Sequence, residues 1–127
     1  MIKKMLENAR NIAIVGLSPD ENKDSNKVAK YLISKNYKIF PIYPKENEIL
    51  GFKVYRNLSE IMEKIDIVVM FRKAEFADEL IDEVIAKKVP NFWLQLGIIN
   101  ENAHQKAVQN GINFVQNKCI MIEHKNI

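Results

Sequence analysis

Short apolar runs alternate with longer amphipathic stretches along the whole chain, and few folds accommodate that rhythm. Strand-length runs fall at Asn11–Val15, Lys38–Ile42, Asp66–Phe71, Phe92–Leu96 and Asn113–Gln116. Between them, helical spacing predicts helices over Ser25–Lys35, Ala74–Lys88 and near Glu101–Gln109, with a short one over Leu58–Lys64. Repeated strand-then-helix units of this kind predict a mainly parallel sheet. A brief, polar-flanked strand near Phe52–Tyr55 suits an edge. With right-handed crossovers the result is an α/β, Rossmann-like, doubly wound sheet of order 3-2-1-4-5-6, with a short third edge strand and helices on both faces.

The punctuation agrees. Asp24 or Ser25 suits the start of the helix after the first strand, and Asn36 suits a left-handed exit from it. Lys87 and Lys88 complement the negative end of the clearest helix, which Pro90 closes. The 127 residues contain no repeat or linker and match the size of one domain, residues 1–127. Hydrophobic residues at 47% and charged residues at 28% exclude a disordered chain. No apolar run approaches the ~20 residues of a membrane span. Lys3, Lys4 and Glu7 interrupt the apolar stretch that a signal peptide would need. A single cysteine, Cys119, rules out an intrachain disulfide and fits a reduced, cytoplasmic setting. A net charge of +3 is too mild for a nucleic-acid face.

In an open parallel sheet a ligand sits beyond the carboxyl ends of the strands, where strand order reverses. Here that point lies between Val15 and Phe71. The segments that follow the strands are Gly16-Leu17-Ser18, Tyr43-Pro44-Lys45, Phe71-Arg72-Lys73, Gln95-Leu96-Gly97 and Asn117-Lys118-Cys119. Gly16 permits close backbone approach, and the next helix start offers free N–H groups to an anion. Ser18 and Ser25 add hydroxyls; Lys23 and Lys27 add charge. Each residue also has a plain structural use as turn or cap. Arg72 suits bidentate phosphate binding, or a surface pair with Glu75 or Asp78. Trp93 fits core packing, and Gln95 fits either a pantetheine amide or local backbone.

The loop after the first strand has one glycine, not the G-x-G-x-x-G of a dinucleotide site. No acid stands at the end of the second strand to hold a ribose 2′-hydroxyl; Lys45 is there instead. That favours a nucleotide with an extra phosphate on its adenosine ribose. Coenzyme A and NADP qualify; NAD does not.

Ile14-Val15-Gly16-Leu17-Ser18-Pro19, Phe71-Arg72, Trp93-Leu94-Gln95-Leu96-Gly97 and Lys118-Cys119 through Ile122-Glu123-His124 resemble, in that order, the stand-alone CoA-binding domain family. That family is similar to the N-terminal domain of the succinyl-CoA synthetase alpha subunit. The resemblance covers residues 9–124. It implies a Rossmann-like fold with coenzyme A along the carboxyl edge. Gly16, Ser18 and Pro19 would then approach the diphosphate, with Ser25 and Lys27 at the helix start. Pro44 and Lys45 would lie near the adenosine 3′-phosphate. Phe71, Arg72 and Gln95 to Gly97 would line the pantetheine path. The chain departs from the family at Tyr43, where Asn is usual, at Asp20 and Glu21, and at Asn117-Lys118.

No catalytic set stands out. Zinc-ligand spacing, a G-x-S-x-G elbow and a P-loop are absent, and the synthetases draw their histidine from a domain this chain lacks. Cys119 is the one reactive candidate: a buried thiol, or one that meets the CoA thiol. Three readings follow. The first is a non-catalytic module binding coenzyme A or an acyl-CoA, with neither nucleic acid nor membrane as partner. The second is a small NADP-dependent oxidoreductase. The third is a subunit of an acyl-CoA enzyme completed by a partner. Monomer and homodimer both stay open.

Overall fold

The computed structural model describes residues 1–127. A five-stranded parallel sheet forms from β1 (Asn11–Val15), β2 (Lys38–Ile42), β5 (Ile67–Met70), β6 (Asn91–Leu94) and β7 (Asn113–Val115), in the order β2-β1-β5-β6-β7. Strands β3 (Glu48–Ile49) and β4 (Phe52–Lys53) pair with each other as an antiparallel hairpin. Helices are α1 (Ile2–Asn8), α2 (Asp24–Ser34), α3 (Ala77–Lys87), α4 (Glu101–Gln109) and α5 (Ile120–Lys125).

The alternating sides of each strand build two cores. Ile12 and Ile14 of β1, with Ile67, Val69 and Trp93, face α1, α2 and α5. Ala13 and Val15, with Val68, Met70, Phe92 and Leu94, face α3 and α4. Strands β1, β5 and β6 are thus covered on both sides, which is why they read as unbroken apolar runs. Asn36 (φ 71°) and Lys88 (φ 59°) occupy the left-handed region as their helices end.

The third strand departs from expectation. It is a hairpin arm that touches the sheet through one parallel bridge, Ile42 to Tyr55, rather than a full edge strand. Pro41 gives the reason. Its carbonyl accepts from Tyr55 N at 2.9 Å, but it has no N–H to continue a ladder on that outer side. Leu58–Glu60 is a single 3-10 turn, capped by the Asn57 side chain, rather than a helix reaching Lys64. Two helices, α1 and α5, occupy segments the strand–helix rhythm left undescribed. No helix is long and apolar enough to cross a membrane.

Candidate functional site

Two clefts open along the carboxyl edge of the sheet and meet at Phe71-Arg72-Lys73. The first, about 570 Å³, runs from Gly16 past Tyr43, Pro44 and Arg56 to Phe76. The second, about 490 Å³, runs from Asp24 and Lys27 at the start of α2 to Gln95, Leu96, Cys119 and Ile122. From β2 to β7 are four strand-to-strand steps. At ~4.8 Å each, the sheet edge that carries the two clefts is about 19 Å wide. Its shape suits an elongated ligand.

Gly16 makes the meeting point. With φ at +84° it sits where a side chain is strained, and a Cβ there would lie 2.7 Å from the Phe71 carbonyl oxygen. Only glycine lets the loop after β1 pass so close to the loop after β5. The close approach is thus to the protein's own backbone. The Arg72 guanidinium stacks on the Phe76 ring at 3.7 Å. Its expected surface partners, Glu75 and Asp78, do not pair with it. The four ion pairs of the chain are Lys30–Glu21, Lys38–Glu63, His104–Glu101 and Lys106–Asp82, so Arg72, Lys73 and Lys27 have no carboxylate partner.

Ser18 and Ser25 work on each other. The Ser25 hydroxyl accepts from Ser18 N at 2.9 Å, so neither Asp24 nor Ser25 caps α2; Lys23 is the capping residue, without a side-chain bond. The Ser18 hydroxyl accepts from Asp20 N. Asn26, 1% exposed, donates to the Ser18 carbonyl, while its Oδ1 is sealed from solvent and has no partner. These bonds rigidify the loop beside the start of α2, where backbone N–H groups are free.

On the far side, Gln95 is buried and its Oε1 accepts from Ile120 N at 2.9 Å. Trp93 Nε1 donates to the Lys118 carbonyl at 2.8 Å. The Asn117 side chain accepts from Gly97 N at 2.8 Å, with Gly97 at φ +85°. The Asp78 carboxyl is held below its ordinary range by hydrogen bonds from Asn102 and Asn100. Asn100 also donates to the Ala74 carbonyl, tying the loop after β6 to the turn just before α3.

Of the sequence-predicted residues, Gly16, Tyr43, Pro44, Phe71 and Arg72 line the first cleft. Lys27, Phe71, Arg72, Gln95, Leu96 and Cys119 line the second. Leu17 is fully buried in the core, and Ser25 is buried against Ser18. Ser18, Pro19, Lys23, Lys45 and Gly97 lie outside both linings. Lys45 contributes its carbonyl, which with that of Tyr43 accepts from Arg56 at 3.1 and 3.0 Å. Sequence reasoning named Lys73 in the segment after β5 without giving it a role, and it missed Arg56 and Asn26. Asn26 lies between Ser25 and Lys27, in the helix start already singled out. Arg56 carries no local signal, since only tertiary folding brings it to the edge.

Known proteins share this fold. A protein of Pyrococcus horikoshii, called hypothetical, superposes with a TM-score of 0.95 at 36% identity, over 98% of this chain and 88% of that one. The uncharacterized protein YneT of Bacillus subtilis is 36% identical over 97% of this chain and 91% of its own length. The alpha subunit of a Pyrococcus furiosus acetate–CoA ligase (ADP-forming) is 34% identical over 70% of this chain, which spans only 21% of that subunit. A family model described as "CoA binding domain" matches residues 10–125. The chain belongs to the CoA-binding domain family.

Proposed function

We propose that the chain binds coenzyme A, or an acyl-CoA, along the carboxyl edge of its sheet, as a non-catalytic cofactor-binding domain. The observation that carries this is the pair of clefts joined at Phe71-Arg72-Lys73, with three cations there unmatched by carboxylates. The adenosine end belongs in the cleft with Tyr43 and Pro44, where Tyr43 offers a ring face. Arg56 supplies positive charge near that end and takes over the part assigned to Lys45. The diphosphate belongs between the loop of Gly16 to Pro19 and the start of α2, with Lys27 and Arg72 in reach. The pantetheine arm then runs past Phe71 toward Gln95 and Cys119, where Leu96, Met121 and Ile122 make the wall apolar. The proposed setting is the reducing cytoplasm, where coenzyme A is a free thiol.

A thermal-shift titration tests this. Coenzyme A at ~100 times its Kd stabilises the native state by about 2.7 kcal/mol, a midpoint shift of about 10 °C. Dephospho-CoA and NADP run as competitors separate the readings. Coenzyme A should win over both. A larger shift with NADP moves the assignment to a nicotinamide cofactor, and no shift with any of the three refutes nucleotide binding at this edge.

A further inference from the structure

We infer that Cys119 is a thiol–disulfide exchange site for the pantetheine sulfur of coenzyme A, so that the chain can hold the cofactor as a mixed disulfide. The inference rests on the proposed binding mode. Two buried side chains of β6 fix the segment around the thiol. Trp93 Nε1 donates to the carbonyl of Lys118, the residue before it, and Gln95 Oε1 accepts from the amide of Ile120, the residue after it. Cys119 is thereby clamped on both sides while its side chain, half-buried, lines the cleft.

A second feature of the same cleft calls for a ligand. The amide of Ile120 can only donate, so it fixes the orientation of the Gln95 side chain, with oxygen toward Ile120 and Nε2 away from it. Gln95 is 4% exposed, and its Nε2 makes no hydrogen bond within the chain. Nor is Nε2 sealed off, because Asn26 Oδ1 is the one enclosed side-chain polar atom without a partner. Gln95 lines the cleft, so its Nε2 is the group there that remains free to donate to an amide carbonyl. The pantetheine arm carries two amides along its length and ends in a thiol. A donor and a fixed cysteine in one cleft, joined at Phe71-Arg72-Lys73 to the other cleft, match that order of groups.

The co-reactant is the disulfide of coenzyme A. The Cys119 thiolate attacks one sulfur, the old sulfur–sulfur bond breaks, and a bond from Cys119 to the near pantetheine forms. The departing thiolate takes up one proton, equal to the one Cys119 releases on ionising. One disulfide is consumed and one is made, so no further oxidant is required.

Intact-mass kinetics on the full chain provide the test, since Cys119 is the sole cysteine. The disulfide of coenzyme A and glutathione disulfide are compared at equal concentration, each with and without desulfo-CoA, while calorimetry records binding of reduced coenzyme A. The expected result is one coenzyme A adduct per chain, reversed by a reductant and formed about tenfold or more faster than the glutathione adduct, as for a reactant held in place. Desulfo-CoA should suppress that advantage. Coenzyme A binding without an adduct, or adducts at equal rates from both disulfides, overturns the exchange site and leaves the binding reading intact. Calorimetric silence defeats the binding reading itself.

Discussion

The two edges of the sheet differ in how completely they satisfy their own polar groups. At the amino edge Asp66 Oδ2 accepts from the amides of Arg10 and Asn11, both at 2.9 Å. Asn91 Nδ2 donates to the Asp66 carbonyl, and Asn113 Nδ2 donates to Asn91 Oδ1. Asn11 Nδ2 donates to the Lys64 carbonyl at 2.7 Å. At the carboxyl edge the Gln95 side chain, 4% exposed and lining a cleft, spends its oxygen on Ile120 N and leaves its Nε2 without a partner in the chain. Buried polar groups are normally paired, so a buried donor left over beside a cleft supports the proposal that a ligand binds there. The amino edge ties its own strands together. Its opposite is where we propose that the ligand binds.

The sharpest way to break that contrast is Gly16→Ala. The new Cβ meets a backbone oxygen at 2.7 Å in a left-handed conformation, so nothing flexible can give way. Stability should fall by about 3 kcal/mol, read from urea unfolding, and coenzyme A affinity should fall with it. Survival of both would mean the two loops are not packed as described.

Asp66→Ala should cost about 2 kcal/mol, because it strands the amides of Arg10 and Asn11 together. The folded fraction should keep its affinity for coenzyme A. An affinity loss beyond about twofold would mean that the amino edge is more than scaffold. Arg72→Ala should do the converse. Stability should move by less than about 0.5 kcal/mol, while coenzyme A binding weakens about tenfold, near 1.4 kcal/mol. The surviving affinity should also depend less on salt, since a charge has left the site. Calorimetry at two ionic strengths checks both; an unchanged Kd removes Arg72 from the site.

The contrast between edges was only half legible in the sequence. Strand runs and helical stripes located every strand of the main sheet, and Gly16, Phe71 and Gln95 followed because they come next in the chain. Ends of secondary structure are local matters. What a side chain bonds to is not. Ser25 looked like a helix cap but turns to Ser18 N, and Gly16 looked like room for a ligand but makes room for Phe71. Helix α1 was readable in principle, since Ile2, Met5, Leu6 and Ala9 repeat at helical spacing over two turns. Helix α5, six residues long, has too few turns to declare a period. It exists because Gln95 holds its first amide and His124 its last turn, contacts that span 25 and 93 positions of sequence.

The tie at His124 gives the gentlest test, because it acts on the site from a distance. The Tyr31 hydroxyl and His124 Nδ1 lie 2.7 Å apart, and the Tyr31 and Tyr37 rings meet the imidazole edge-on. Burial, and then the charge of Lys35, hold the imidazole below its ordinary range. The unfolded chain therefore binds this proton more readily than the native one, so stability rises with pH across the gap between the two values. Read downward, stability is lost as pH falls through ~6.5, and the loss ends only below the depressed native value. His124→Gln removes that slope. The difference between wild type and variant at pH 7 and pH 5.5 should be a few tenths of a kcal/mol, with the variant flatter. Because α5 begins at the Cys119 side of the cleft, the protection factor of the Ile120 amide, its exchange rate taken relative to the intrinsic rate at each pH, should fall in the wild type over the same interval and not in the variant. Equal exchange in both proteins would mean that the tie steadies only the end of the helix, and that Gln95 alone holds the floor of the cleft.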